Sequence, residues 1–490
     1  MKTYGEPLRL LSGEEMEAVH AAAVNVLETV GMRFASPEAL RYLSRFGCRV
    51  EESSSTVRFP APLVNDCVDR MRSAYQRPQR VPERMAVRYS HIRFRAEPLR
   101  VHPDFTTSAG GFCAFIWDLE GRRRYAGGQD VLRAVNLVNN LPHIDYTGLP
   151  VSDQGVPAPL RPVKMAGELA KYTRKLGGVE TFKKEDVKYL IEIGRVVAGG
   201  EEQLKRAPVL VGYSEARSPL ALDRNMAEIF MEYVREGFPQ TVDTMPNGGA
   251  TAPVTAGGIL ALAMAETLGP LVLGYAIDPE ATLGVDIIPS YCDMSTGIFR
   301  YASAERLPLL AARVQLISEF YGCPSGVHGG KTDSCFPNVQ AGIEKSATML
   351  VPLLAGAVGV GTVGHLENAV TFSPLQLVID NELAGYMHRA LTGIEIDAET
   401  LAAEVIREVG IGGNYLEHPH TARCFRRELF LSPLFETMSW ESAHGQELAG
   451  MEEKAHELAA QHWRLPEPVL AEEQVREIDR IVARAERELC

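Results

Sequence analysis

From about residue 141 the sequence alternates between short apolar runs and longer amphipathic patterns, and no other feature narrows the fold as much. The apolar runs fall at 146–151, 178–182, 209–213, 241–245, 271–277, 283–288, 326–328 and 360–363. Helical spacing fills most of the gaps, at 163–175, 184–198, 222–236, 255–268, 304–320, 338–357 and 374–392. The connection at 278–282 is short and lacks a helix. Short runs joined by helices predict parallel strands, because a parallel pair needs a crossover. Eight such units in about 250 residues match the size and count of an α/β TIM (β/α)8 barrel. A doubly wound open sheet would alternate in the same way, and periodicity does not separate the two.

The flanks read differently. Residues 1–140 are expected to form a helical lead-in with a small β layer, 141–392 the barrel, and 393–490 a helical tail. Ser12 precedes a helix-spaced stretch rich in early Glu, a good N-cap, and Pro37 opens a shorter helix. Residues 48–59 alternate around Glu51 and Glu52 as a hairpin does. Residues 85–126 look β-rich, with Ile92, Phe94, Phe112, Phe115 and Trp117. The tail is expected to cover the barrel or a subunit contact.

A formal charge of −13 argues against nucleic acid, which needs clustered Lys and Arg. The short cluster Arg122, Arg123 and Arg124 reads as a solvated turn. The most apolar run, 341–363, carries Glu344, Lys345 and Pro352, so a buried helix and strand are expected there rather than a membrane span. The N-terminus has no apolar signal core, and the eight cysteines contain no Cys-x-x-Cys pair. Both features fit a reducing cytoplasm.

Chemistry-bearing motifs gather late in the chain. His328, His365 and Glu367 fall at the C-terminal ends of the last two runs, where a parallel barrel places its working groups. An extended His365-Leu-Glu367 would turn both side chains to one side. As a zinc set these residues are weak, since no His-x-x-x-His or Cys pair supports them. Cys335 sits in a polar loop without an identifiable base, so it is more often inert than nucleophilic. Gly359, Gly361 and Gly364 match a dinucleotide spacing, but a helix precedes them, so a close-packed strand is the simpler reading. The glycine-rich loop 247–258 could approach an anion with its amides.

Several longer segments follow one another in a recognisable order. They are Leu11-Ser-Gly-Glu-Glu with Val26-Leu-Glu-Thr-Val-Gly31, Gly249-Ala-Thr-Ala-Pro-Val254 with Ala265-Glu266, and Asp333-Ser-Cys-Phe-Pro-Asn-Val-Gln-Ala-Gly-Ile-Glu-Lys345. Leu366-Glu-Asn-Ala-Val-Thr-Phe-Ser373, Val378-Ile-Asp-Asn-Glu382 and Gly412-Gly-Asn-Tyr-Leu-Glu-His-Pro-His-Thr421 complete the set. In this order they resemble the trimethylamine methyltransferase superfamily of corrinoid-dependent methyltransferases, and the resemblance covers nearly the whole chain. It implies a TIM barrel and transfer of a methyl group from a methylamine to the Co(I) of a small separate corrinoid protein. It further implies no tightly bound cofactor and no metal, with cobalamin supplied by that partner.

The trimethylamine enzyme of that superfamily carries pyrrolysine in the loop matching 334–337. Here Ser334, Cys335, Phe336 and Pro337 are ordinary residues. The chain therefore resembles members that demethylate quaternary amines such as glycine betaine, proline betaine or carnitine. A quaternary ammonium loses a methyl without a general acid, so positioning dominates. The resemblance implies a cation wall at the barrel mouth, drawn from Tyr213, Tyr275, Phe336 and Phe372, with Cys335 part of the pocket wall. Each cation–π contact is of order ~0.5–2 kcal/mol. Asp104, followed by Phe105, is expected to reach over the mouth from the N-terminal layer, and Glu367 to reach it from the eighth strand. Lys331 or the 247–258 loop would take a betaine carboxylate. A zinc-dependent corrinoid methyltransferase and a non-catalytic betaine-binding barrel remain alternatives, and a homo-oligomer is expected.

Overall fold

The computed structural model describes residues 6–76, 99–443 and 450–490. Ile92 and Phe94 lie outside those residues. Ser12 caps the helix Gly13–Thr29 by accepting from the Glu15 amide, and the Glu15 carboxylate accepts from the Ser12 amide. The expected hairpin is an antiparallel pair, with Arg49 opposite Arg58 and Glu51 opposite Thr56.

Seven parallel strands organise the middle of the chain: β1 (Thr106–Ala109), β2 (Tyr146–Thr147), β3 (Ser214–Ala216), β4 (Gln240–Thr244), β5 (Leu283–Val285), β6 (Gly326–Val327) and β7 (Gly359–Val363). They pair in two runs, β6-β7-β1-β2 and β5-β4-β3. A parallel bridge from Thr147 to Leu176, and a bond from the Leu210 amide to the Gly177 carbonyl, extend the first run toward the second. Neighbours along each run are consecutive in the chain, except that the last strand lies against the first.

Two expectations are corrected. Residues 271–277 are not a strand but the closing turns of the helix α1 (Ala256–Ile277). That helix is apolar on every side and buried, and a short apolar run cannot be told from a buried helical segment by period. Conversely β1, in the stretch read as part of the lead-in, pairs with β7 and extends the parallel layer upstream of residue 141. Its sequence, Thr-Thr-Ser-Ala, carries no apolar signal, although all four residues are buried. Glycines at 359 and 361 serve strand packing: a Cβ on Gly361 would lie 2.4 Å from Ser108 Oγ.

The run 341–363 comprises most of α2 (Val339–Leu354) and all of β7. By length and composition α1 is the one helix among the described residues able to cross a membrane, and 72% of its most apolar window is buried inside the fold. A further helix, α3 (Pro374–Leu391), packs beside α2 and β7. One apolar core joins the N-terminal helices to α1, β4 and β5, and a second lies behind β1, β2, β6 and β7. In the tail, Met451–His462 and Glu472–Leu489 bury Ala455, Ala459, Ile478 and Ile481 in the second core, while Ala403–Val409 and Pro419–Glu428 bury nothing.

Candidate active site

Alternation along β4 defines an interior. Gln240, Val242 and Thr244 are buried behind the strand, while Thr241 and Asp243 turn the other way. They face a cavity of about 320 Å³ whose walls include residues of every labelled strand except β3, with Ser108, Tyr146, Asp243 and Thr362 among them, together with Tyr213, which precedes β3, and His328, which follows β6.

One wall is acidic. Glu215 on β3 lies directly opposite Asp243 on β4, and Val242 opposite Val285 sets Asp286 one step further along the same row. Glu180 joins this wall, accepting a hydrogen bond from Tyr213. Burial pushes Glu180 up to about 7, with the Glu215 charge adding to it. Burial and the negative charges of Asp286 and Glu215 hold Asp243 well above the usual carboxylate range. Burial raises Glu215 as well. Asp286 is also raised by burial, against the opposing pull of Arg313, whose Nη2 donates to it at 2.5 Å and to the Gly326 carbonyl at 2.7 Å. Arg313 thus pairs with Asp286 and also opposes the rise of Asp243. Tyr213 keeps 42% of its surface accessible, so it is cavity lining rather than core.

A basic group, of which His328 alone is part of the cavity lining, sits on the loops after β6 and β7. His328 lines the cavity with its Nδ1 lacking a hydrogen-bond partner, and His365 Nε2 is likewise orphaned. Burial drives both imidazoles well below their ordinary value, so both are neutral. Lys331 is buried with Nζ 3.2 Å from His365 Nδ1 and 4.9 Å from the centre of the Tyr301 ring. No carboxylate makes a salt bridge to it among the described residues, and burial lowers it to about 7. Asp333 fixes Tyr301 by accepting from its amide at 2.7 Å, and Glu344 fixes Asp333 by accepting from the Asp333 amide at 2.8 Å.

Of the residues anticipated from sequence, Tyr213 and His328 line this cavity, and Lys331 and His365 pair with each other close to His328. Others do not. Glu367 leaves the extended path with φ +52° and accepts from Arg123 Nε at 2.8 Å and Nη2 at 3.1 Å, at the rim and away from His365. Asp104 precedes the N-terminal end of β1, beside Arg100 and His102, and so stands at the opposite end from the mouth. Tyr275 belongs to α1 and is buried near Cys67 and Cys323. Phe372 is wholly buried under Gly364, where a Cβ would lie 2.9 Å from its ring. Phe336 and Cys335 are exposed, with Phe336 edge-on to Trp117 at 5.2 Å, and neither lines the cavity. The four-aromatic cage is therefore not assembled. Sequence reading passed over the acidic wall, although Glu180, Asp243 and Asp286 each sit inside an otherwise apolar run. Among the described residues no group of three or more His, Cys, Asp or Glu side chains is placed to hold a metal ion.

Comparison with known proteins bears on the whole chain. Residues 2–490 match the family described as trimethylamine methyltransferase (MTTB). A trimethylamine methyltransferase, MttB2, of Methanosarcina mazei is 30% identical over 484 residues, covering 94% of this chain and 92% of the relative. A glycine betaine methyltransferase of Desulfitobacterium hafniense is 27% identical, covering 91% of this chain and 90% of the relative. The crystal structure of the Methanosarcina barkeri monomethylamine methyltransferase (MtmB) overlaps at a TM-score of 0.49 and 13% identity, covering 98% of this chain and 88% of that one, too low to carry a conclusion.

Proposed function

The chain belongs to the trimethylamine methyltransferase family, and from that premise we propose that it moves a methyl group from a quaternary amine, glycine betaine or a related betaine, to the Co(I) of a separate corrinoid protein. One observation carries this reading: the carboxyl groups of Glu180, Glu215 and Asp243 gather around Tyr213 at a cavity the size of a small zwitterion, and a buried lysine lies close to His328, which lines the same cavity. The ammonium lies against Glu180, Glu215, Asp243 and Tyr213, and the carboxylate takes Lys331, which ionises to meet it. A carboxylate at ~4 Å from a cation near a protein surface contributes roughly 4 kcal/mol of attraction. When the methyl leaves, the C–N electron pair stays on nitrogen and the amine becomes neutral, so no acid is required. The protein's own work is to aim one methyl and exclude water. His328 and His365, neutral and buried, wall the site without competing for charge. The corrinoid is a co-substrate delivered by its own protein.

In the same reading the strands and segments 176–182 and 210–216 close as a (β/α)8 barrel, supported by the pairing of β7 with β1. A homo-oligomer is part of it, supported by the exposed Ile411, Leu416 and Trp440 of the tail. The test is methyl transfer to a Co(I) corrinoid protein with glycine betaine, proline betaine, carnitine, choline and trimethylamine. Demethylation of a betaine is expected, and no turnover with any quaternary amine would overturn the proposal. Calorimetric binding without transfer would leave a betaine-binding protein.

His365 supplies a second check. A Cβ on Gly111 would lie 2.3 Å from His365 Cε1, and Gly111 has φ +121°. Gly111→Ala must displace the imidazole, and a misplaced site costs about a hundredfold in kcat/KM. Circular dichroism should show the variant folded.

A further inference from the structure

The buried pair Lys345 and Asp380 is used by nothing described so far. Both side chains are wholly buried, with Nζ 2.7 Å from Asp380 Oδ2. Lys345 Nζ also donates to the Gly330 carbonyl at 2.8 Å, and the Gly364 amide donates to the same Asp380 oxygen at 2.6 Å. Gln376 Nε2 donates to the other carboxylate oxygen at 2.8 Å. Gly330 precedes Lys331 and Gly364 precedes His365, so one ion pair ties the backbones beneath the two groups that meet 3.2 Å apart. Thr348 Oγ1, on the same helix as Lys345, donates to the Lys331 carbonyl at 3.3 Å.

A buried ion pair is weak evidence for stability, because desolvation offsets most of the attraction. What it supplies here is position. We propose that Lys345 and Asp380 are positioning residues that hold Lys331 against His365, joining the loops after β6 and β7 into one substrate-facing unit. The inference rests on the assignment of Lys331 and His365 to the substrate site.

The pair also sets the charge felt there. Lys331 is faced by His365, Tyr301, Arg306, Cys113 and Lys345, and Lys345 lowers both Lys331 and His365. Asp380 offsets that influence. Removing one partner at a time therefore shifts Lys331 in opposite directions. Asp380→Asn leaves the Lys345 cation unbalanced and lowers the Lys331 titration further. Lys345→Met leaves the Asp380 carboxylate unbalanced and raises it. In Lys345→Gln/Asp380→Asn both charges are gone while hydrogen bonds to Gly330 and from Gly364 remain available.

The experiment follows the Lys331 side chain by NMR of lysine-labelled full-length protein, without substrate, alongside kcat/KM for methyl transfer. Opposite titration shifts in the single variants, a loss of about a hundredfold in kcat/KM in each, and recovery of both readouts in the double variant are expected. Shifts in the same direction, or none, would overturn the inference, and so would wild-type kcat/KM in either folded single variant, because a pair that does not hold Lys331 in place leaves turnover unchanged. If a single variant does not fold, the neutral double variant decides: Lys331 must titrate in it as in the wild type. A wild type that demethylates nothing, with the titration shifts intact, sinks the functional reading and leaves the positioning one standing.

Discussion

Glu215→Gln is expected to weaken binding of a quaternary ammonium by roughly a hundredfold, the loss of about 3 kcal/mol of ion pairing at an effective dielectric near 20. The change keeps the shape of the side chain and removes only charge. Glu215 lies opposite Asp243 across β3 and β4, and like charges in that relation repel. The variant should therefore be at least as stable as the parent. The sign of its pH dependence follows from the raised Glu215. A carboxyl whose folded value is raised contributes stability below its unfolded value and loses it as pH rises through the folded one. Parent and variant should thus melt together near pH 4, with the variant ahead at pH 8. Calorimetry with glycine betaine measures the first effect and thermal melts the second. Unchanged betaine affinity would remove the acidic wall from the substrate site.

Lys331→Met is the complementary experiment, and its effects on binding and folding run in opposite directions. Betaine affinity should fall by about a hundredfold, the cost of leaving a buried carboxylate without its partner. Choline, which lacks a carboxylate, should be nearly unaffected. Stability should rise. Lys331 is lowered to about 7 in the folded chain, while the unfolded lysine titrates near ~10.4. The unfolded state binds the extra proton between these values, so Lys331 costs the wild type stability below pH 7, and the cost fades as pH climbs toward 10. The variant should gain most at low pH, by several kcal/mol on the scale of ~1.4 kcal/mol per unit. Equal losses for betaine and choline would place Lys331 outside the anionic end of the site.

How much of this was legible in the sequence depended on the range of the interaction that decided it. The alternation of runs and helices is local, and it led to the parallel layer and to the strand ends carrying His328, Lys331 and His365. It failed at 271–277, where burial on all sides erases the period that separates helix from strand. It failed again at β1, whose small polar residues are buried only because β7 arrives to cover them. The aromatic candidates were chosen by residue type alone. Tyr275 and Phe372 fill cores, as most aromatics do, while Tyr213, in the segment that leads into β3, lines the cavity. The acidic row was visible as charges inside apolar runs, but its meaning needed the register that sets Glu215 beside Asp243 and Asp286 beyond it.

The meeting of β7 with β1 has a consequence for how a cell must make this protein. Residues 359–363 leave the ribosome about 250 residues after 106–109, an interval of roughly 10–50 s at the usual pace of synthesis. Throughout that interval Thr106–Ala109 presents an unpaired strand edge, the kind of surface other chains add to. Lys331 and His365 are also among the later residues to emerge, so no nascent fragment owns a complete site. Production of the protein should therefore depend on chaperone capacity during elongation far more than on the stability of the finished fold.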